Sequence, residues 1–345
     1  MKRRVAILTE PKKFQIIEEN LPAIQPHEVL VEVEAIGLCH SDMPTFVGDS
    51  QFGLDKNGHA ALDTDIQFPT GNIGHESVGI IKEVGSAITD YKPGDYVGLI
   101  VAAAGFASHQ IVPAGFCIPI SKEIPREELK YCLAEPLMCV GNIVKVASPS
   151  LGETIAVVGC GMMGLLTIAG LKHSSASKII AVDVQDGRLE LAQKFGATHT
   201  INPLSENVTD AIDALTDRLG ADIVVEITGS LRGLKTALKV VRYADILGPA
   251  GRGKVLIPSL YAKTEQWDPE IGYELAFRSP ILHSVHPPYA EDYFKMAKDS
   301  VEACQKGILP IKELITHEFS LDDIQQGFDL MESGDINYIK GIIKP

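Results

Sequence analysis

The 345-residue chain carries 31 lysines and arginines against 45 aspartates and glutamates, a formal net charge of −14. Such a field repels nucleic acid and anionic lipid, so neither is expected as a partner. The length exceeds one ordinary hydrophobic core and predicts two domains, and 45% apolar residues with 31 glycines suit a compact α/β protein.

The opening "MKRRVAILTEP" has too few apolar residues for a signal-peptide core, and no window approaches the roughly 18–20 unbroken apolar residues of a membrane span. Six cysteines, at 39, 117, 132, 139, 160 and 304, are scattered without a CxxC pair. That is the usage of reduced thiols, so the chain reads as cytoplasmic.

Residues 1–120 read as short strands broken by turns. "HEVLVEVEAIGL" alternates apolar and charged residues, and "SVGIIKEVG" and "DYVGLIVAAAGF" continue the theme between turn signals. Residues 48–73, rich in Gly, Asp and Asn and without a sustained period, read as a long loop suited to a lid or binding surface. From about Glu127 the texture changes. "LAEPLMCVGNIVKVA" has helical spacing, and strand and helix then alternate through "TIAVVGCGMMGLLTIAGLKH", "KIIAVDV", "DGRLELAQKFGA", "THTIN", "VTDAIDALTDRLG" and "DIVVEITG". This rhythm predicts βαβ units and a parallel sheet. After about residue 282 come amphipathic helices around "AEDYFKMAKDSVEACQKG" and "SLDDIQQGFDLMESG", then a final strand "YIKGIIKP".

"VVGCGMMG" sets Gly159, Gly161 and Gly164 in GxGxxG register between a strand and a helix that opens with Met162 and Met163. The first glycine permits the tight turn, the second lets the backbone approach a pyrophosphate, and the third packs helix on strand, while the helix N-terminal N–H groups face the phosphates. Asp183 follows 19 residues after Gly164, where an acid grips the adenosine ribose hydroxyls. A carboxylate there favours NAD over NADP. Arg188 works the other way, and reads equally as a solvated helix residue or a cofactor contact.

Cys39 and His40 are adjacent in "GLCHSD", without a second cysteine nearby. "IGHESVGIIKEVG" adds His75 and Glu76, and "LAEPL" adds Glu135. Catalytic zinc takes three protein ligands and keeps one open position, which Cys39, His75 and one of the two acids would supply.

These motifs together resemble the zinc-dependent medium-chain dehydrogenase/reductase superfamily, closest to its sorbitol and polyol dehydrogenases. "GLCHSD", "GHESVGIIKEVGSAI", "KPGDYV", "GFASHQIVP", "AEPL", "VVGCGMMG", "VDV" with Arg188, and "IKGIIKP" occur in the family's order over nearly the whole chain. The resemblance implies a GroES-like, mostly-β catalytic domain at 1–138, a Rossmann doubly wound nucleotide-binding domain at 139–282, and a return to the catalytic domain at 283–345. It makes Cys39 and His75 ligands of one catalytic zinc per chain, with Glu76 and Glu135 competing for the remaining place. It also implies that Asp42 orients His75, that Ser41 takes the substrate's proton, and that His40 and Lys340 lie near the cofactor pyrophosphate. Thr228 would line the adenosine side. The implied reaction moves a hydride between NAD and a secondary alcohol, polyol or sugar, in a homodimer or homotetramer joined through the nucleotide-binding sheet.

Four departures from the family stand out. No cysteine cluster follows "GDYV", so no structural zinc is expected. The segment from Cys39 to His75 is long for the family, with His59 expected as a solvated loop residue. Pro44 occupies the place of the family's relay histidine. "ILHSVHPPY" replaces a glycine-containing segment near the nicotinamide, with His283 and His286 expected in core or on surface, and the strand "GKVLIPSLYA" is expected at a sheet edge. Zinc-free quinone or enone reductases and idle nucleotide-binding relatives share the fold, but nothing in either demands Cys39, Ser41, His75 and Glu76 together.

Overall fold

A computed structural model describes residues 1–54, 56–57, 59–100, 105–244, 251–261, 265–286 and 292–345. The chain divides into two units: Met1–Leu137 with Ala297–Gly307 and Ile311–Pro345, and Met138–Met296 with Ile308–Pro310.

The first unit begins with β1 (Lys2–Glu10), β2 (Lys13–Asn20) and β3 (Glu28–Gly37), followed by a 3-10 turn at His40–Asp42 and α1 (Met43–Phe46). Then come β4 (Gln51–Leu54), β5 (Ala60–Asp63), β6 (Glu76–Val84), β7 (Tyr96–Leu99), β8 (Phe106–Ala107), β9 (His109–Pro113) and β10 (Cys117–Ile120). The helix α2 (Ala134–Ala147) carries the chain into the second unit.

The strand expected at "DYVGLIVAAAGF" is found as β7 and β8, with residues 101–104 outside those described. The segment read as one long loop instead carries the β4–β5 hairpin, paired from Gln51↔Asp63 to Leu54↔Ala60. Its strands are only four residues long, too short to impose a visible period on a Gly- and Asp-rich stretch.

The second unit alternates β11 (Thr154–Val158), α3 (Met162–Leu171), β12 (Lys178–Val182), α4 (Asp186–Phe195), β13 (His199–Ile201), α5 (Val208–Leu215), β14 (Ile223–Glu226), α6 (Leu231–Val240), β15 (Lys254–Ile257), α7 (Pro269–Arg278) and β16 (Ile281–Ser284). All six strands are parallel, in the order β13-β12-β11-β14-β15-β16. The order reverses between β11 and β14, the doubly wound pattern whose ligand crevice lies outside the strands' carboxyl ends at the reversal. All five residues of β11 are buried, as a strand covered on both faces requires.

The strand "GKVLIPSLYA" is not an edge. β15 pairs with β14 on one side and β16 on the other, and β16 is the edge, with all four residues exposed. Sequence periodicity favoured the apolar run, because "ILHS" has no apolar stripe of its own.

The helix α8 (Tyr293–Gln305) returns to the first unit, which ends with β17 (Ile315–Ser320), α9 (Ile324–Ser333) and β18 (Lys340–Lys344). The last strand runs antiparallel to β3 through Ile342↔Gly37 and Ile343↔Ile36. β3 also pairs with β6 through Gly37↔Glu76, so three distant stretches lie side by side. Phe328 anchors this end of the unit, its ring centroid 4.8 Å from Phe46, 5.0 Å from Phe14 and 5.7 Å from Phe106. Among the described residues no helix is long and apolar enough to cross a membrane.

Candidate functional site

Cys39 leaves the end of β3 and caps the 3-10 turn, so its thiol, Ser41 and Asp42 are presented from one tight bend. The main chain of that bend is held by Leu38 N–H donating to Gly341 O at 2.9 Å, a bond from the C-terminal strand. His75 and Glu76 enter β6 on the adjacent strand. The Cys39 thiol, a His75 ring nitrogen and a Glu76 carboxylate oxygen lie within 4.8 Å of one another. Glu135, in the first turn of α2, is not part of this group.

The polar contacts orient the histidine. Asp42, only 6% exposed, accepts from Gly74 N–H at 3.0 Å and faces His75 Nδ1 at 3.2 Å through the same oxygen. With Nδ1–H assigned toward Asp42, Nε2 is the nitrogen that faces the cluster, 3.3 Å from Ser41 Oγ. Ser41 Oγ also donates to Cys39 Sγ at 3.2 Å. Burial alone would lower the His75 pKa. The charge and hydrogen bond of Asp42, followed by Cys39, outweigh it and hold the imidazole well above its ordinary range.

Glu76 is 1% exposed and lies against Gly37, where a Cβ would fall 1.8 Å from Glu76 Oε2. Glycine is therefore required opposite the carboxylate. Lys340 meets the same acid, its ammonium 2.8 Å from Oε1 and 2.5 Å from Oε2. Burial opposes the lysine's charge, but Glu76 and then Cys39 raise its pKa above the ordinary value. Resemblance assigned Lys340 to a cofactor phosphate, whereas the structure seats its ammonium on Glu76, because β18 lies beside β3. His40 opens the same turn. Partial shielding from water, then the Lys340 ammonium, hold its imidazole below the ordinary range, although the residue keeps an exposed edge.

Pro44 lies in the first turn of α1 and has no group that could carry a proton. His59 is exposed, His283 is exposed on β16, and His286 is half-buried in the second unit.

In the second unit the glycine turn follows β11 as read from the sequence. Gly159 adopts φ of +104°, and a Cβ there would lie 2.9 Å from Thr228 Cγ2. A Cβ on Gly164 would fall 2.0 Å from Gly159 O, which fixes how closely α3 packs on the turn. Gly161 caps α3, which opens with Met162 and Met163. Asp183 follows β12 and reaches across to the turn, accepting from Cys160 N–H at 2.7 Å and Gln185 N–H at 2.9 Å. Arg188 is not a solvated helix residue: it is 8% exposed, with Nε 3.4 Å from Gln185 Oε1. Its pKa is lowered by burial and partly restored by Asp183.

Sequence reasoning missed Gly37 as the contact for Glu76, and it missed Glu226, which is wholly buried at the end of β14. The available signal for the latter was an acid closing the apolar run "IVVE".

Residues 25–122 match the family model described as "Alcohol dehydrogenase GroES-like domain", and residues 163–252 match "Zinc-binding dehydrogenase". Erythritol/L-threitol dehydrogenase of Mycolicibacterium smegmatis is 29% identical, the match covering 96% of this chain and 95% of that protein. D-xylulose reductase A of Aspergillus niger is 29% identical over 93% of this chain and 91% of its own. Among solved structures, an Escherichia coli oxidoreductase/dehydrogenase of unknown specificity superposes with a TM-score of 0.80 at 26% identity, covering 100% of this chain and 99% of that one. The chain belongs to the zinc-dependent medium-chain dehydrogenase/reductase superfamily, with the sorbitol-like members. It is an oxidoreductase of the alcohol dehydrogenase type that uses zinc and a nicotinamide cofactor.

Proposed function

We propose that the protein oxidises a short polyol with NAD and reduces the corresponding ketose or ketone in reverse. One observation carries the reading: the thiol, imidazole and carboxylate of Cys39, His75 and Glu76 converge, with Asp42 and Ser41 attached to the same cluster. The donor set fits zinc: sulfur, nitrogen and oxygen in a group of three leave a fourth position open.

Zinc held by these three residues would supply a Lewis acid that lowers a hydroxyl pKa by several units, and a nicotinamide cofactor whose pyrophosphate lies at the glycine turn would supply the hydride acceptor. The chain's own residues do the rest. Asp42 fixes the His75 tautomer, and Lys340 sets the position of the Glu76 carboxylate. Ser41 Oγ, part-buried beside the cluster, receives the substrate's hydroxyl proton. With Pro44 in place of a relay histidine, the proton passes from Ser41 to water or to a ribose hydroxyl.

The polyol part rests on the two curated relatives, one named for erythritol and L-threitol and the other for D-xylulose. NAD preference rests on Asp183, whose carboxylate would repel a 2′-phosphate. We also assign a homodimer or homotetramer joined through the second unit's sheet, supported by the exposed edge strand β16 and the exposed Tyr273 and Phe277 on α7. A cytoplasmic setting is supported by six cysteines of which none is in a disulfide.

The test is metal content followed by turnover of erythritol, L-threitol and D-xylulose with each nucleotide. About one zinc per chain and faster turnover with NAD or NADH are expected. No zinc after repletion would overturn the metal site, and faster turnover with the phosphorylated nucleotide would overturn the NAD assignment.

A further inference from the structure

Glu226 closes β14 with none of its surface exposed. A carboxylate so enclosed is costly unless donors surround it, and here they arrive from two loops. Thr228, on the loop leaving β14, donates to Oε1 through its N–H at 2.8 Å and its hydroxyl at 2.5 Å. Tyr261, on the loop leaving β15, donates to Oε2 at 2.7 Å. Ser259 of that same loop donates to the Glu226 main-chain carbonyl at 3.2 Å. Burial, then the adjacent carboxylate, raise the Tyr261 pKa, so its hydroxyl stays protonated and remains a donor at neutral pH.

The contacts continue outward from Thr228. Its hydroxyl oxygen accepts from Ser230 N–H at 3.1 Å, and Ser230 caps α6 by accepting from Gly233 N–H at 3.0 Å. On the other side Thr228 packs on the glycine turn, 2.9 Å from where a Gly159 Cβ would stand. One carboxylate thus ties together the ends of β14 and β15, the cap of α6 and the turn after β11. β11, β14 and β15 are consecutive in the sheet and flank its reversal, where a dinucleotide crevice opens.

We propose that Glu226 is a positioning residue for the dinucleotide, holding Thr228 and the Ser259–Tyr261 loop at the spacing from the Gly159 turn that the bound cofactor needs. The proposal rests on reading this unit as the nicotinamide-nucleotide site. Glu226 does not meet the reacting atoms; it acts through Thr228 and Tyr261. Glu226→Gln keeps the side-chain volume but removes the charge that strengthens three hydrogen bonds. Tyr261→Phe removes a single donor and is the milder variant should the first fail to fold.

The experiment titrates NADH by fluorescence into zinc-loaded parent, Glu226→Gln and Tyr261→Phe, with steady-state kinetics and zinc content measured alongside. Ile212→Ala serves as a stability control, since Ile212 is fully buried on α5 and makes none of these hydrogen bonds. Glu226→Gln should weaken NADH binding about tenfold and Tyr261→Phe several-fold, with the loss larger in the nucleotide KM than in kcat and zinc content as in the parent. Unchanged NADH affinity in both variants, or an equal loss in Ile212→Ala, would overturn the proposal alone. A parent that binds neither NADH nor NADPH would overturn the nucleotide reading and the proposal together.

Discussion

Replacing Lys340 with methionine tests whether Glu76 depends on a cation from its own chain. Glu76 and Lys340 have side chains 1% and 5% exposed, and methionine keeps much of the lysine stem while removing its charge. The carboxylate would then stay enclosed against Gly37 without its partner. Losing one member of a buried pair costs about 3–5 kcal/mol. At about 2–4 °C per kcal/mol for a unit of this size, the metal-free variant should melt roughly 6–20 °C below the parent. Zinc changes the comparison, because an ion among Cys39, His75 and Glu76 gives the carboxylate a new cation. The loss in the zinc-loaded protein should therefore be smaller, by about 2 kcal/mol or more, and by linkage the variant should bind zinc more tightly than the parent. Calorimetric scans of both proteins, each with chelator and with zinc, read all four states. An equal loss with and without zinc, or a metal-free loss under about 1 kcal/mol, would refute the reasoning.

Other tests follow from the same contacts. Gly37→Ala places a Cβ 1.8 Å from Glu76 Oε2, so the carboxylate must shift and purified protein should retain well under one zinc per chain by elemental analysis. Asp42→Asn removes the charge behind His75 and should weaken zinc binding about 10- to 100-fold in a competitive chelator titration; undiminished affinity would remove Asp42 from the site. The Asp42 charge and hydrogen bond raise the His75 pKa, so protons compete with metal for Nε2 to a higher pH than for an ordinary histidine. Zinc affinity should therefore climb with pH, by up to about tenfold per unit. Because the folded-state value is raised, the protonated histidine stabilises the metal-free fold at low pH, and that contribution fades as pH rises through the folded value. Melting of the chelated protein across pH should show this decline.

Much of the site was legible in short words of sequence. "GLCHSD", "GHE" and "GCGMMG" each confine their chemistry to one turn, where residue type and spacing suffice. The choice between Glu76 and Glu135 was not, because both are acids beside apolar runs. Geometry brings only Glu76 into the cluster, through its cross-strand partner Gly37. The Lys340–Glu76 pair was illegible for a related reason: it spans 264 residues and exists only because β18 pairs with β3. Arg188 looked the same in sequence whether solvated or covered, and only the packing of α4 against its strand decides it. Thr228 was placed on the adenosine side by resemblance, but not the carboxylate that ties it to Tyr261, which the sequence reading left inside a strand.

The pairing of β18 with β3 also has a consequence in time. Lys340 is synthesised 264 residues after Glu76. At about 5–20 residues per second that gap lasts roughly 13–50 s. Throughout it the emerging first unit holds an acid, a thiol and a histidine on adjacent strands while the lysine that will neutralise the acid does not yet exist. A dissolved cation can reach the cluster in that interval, so on a nascent chain the order of assembly favours metal before lysine.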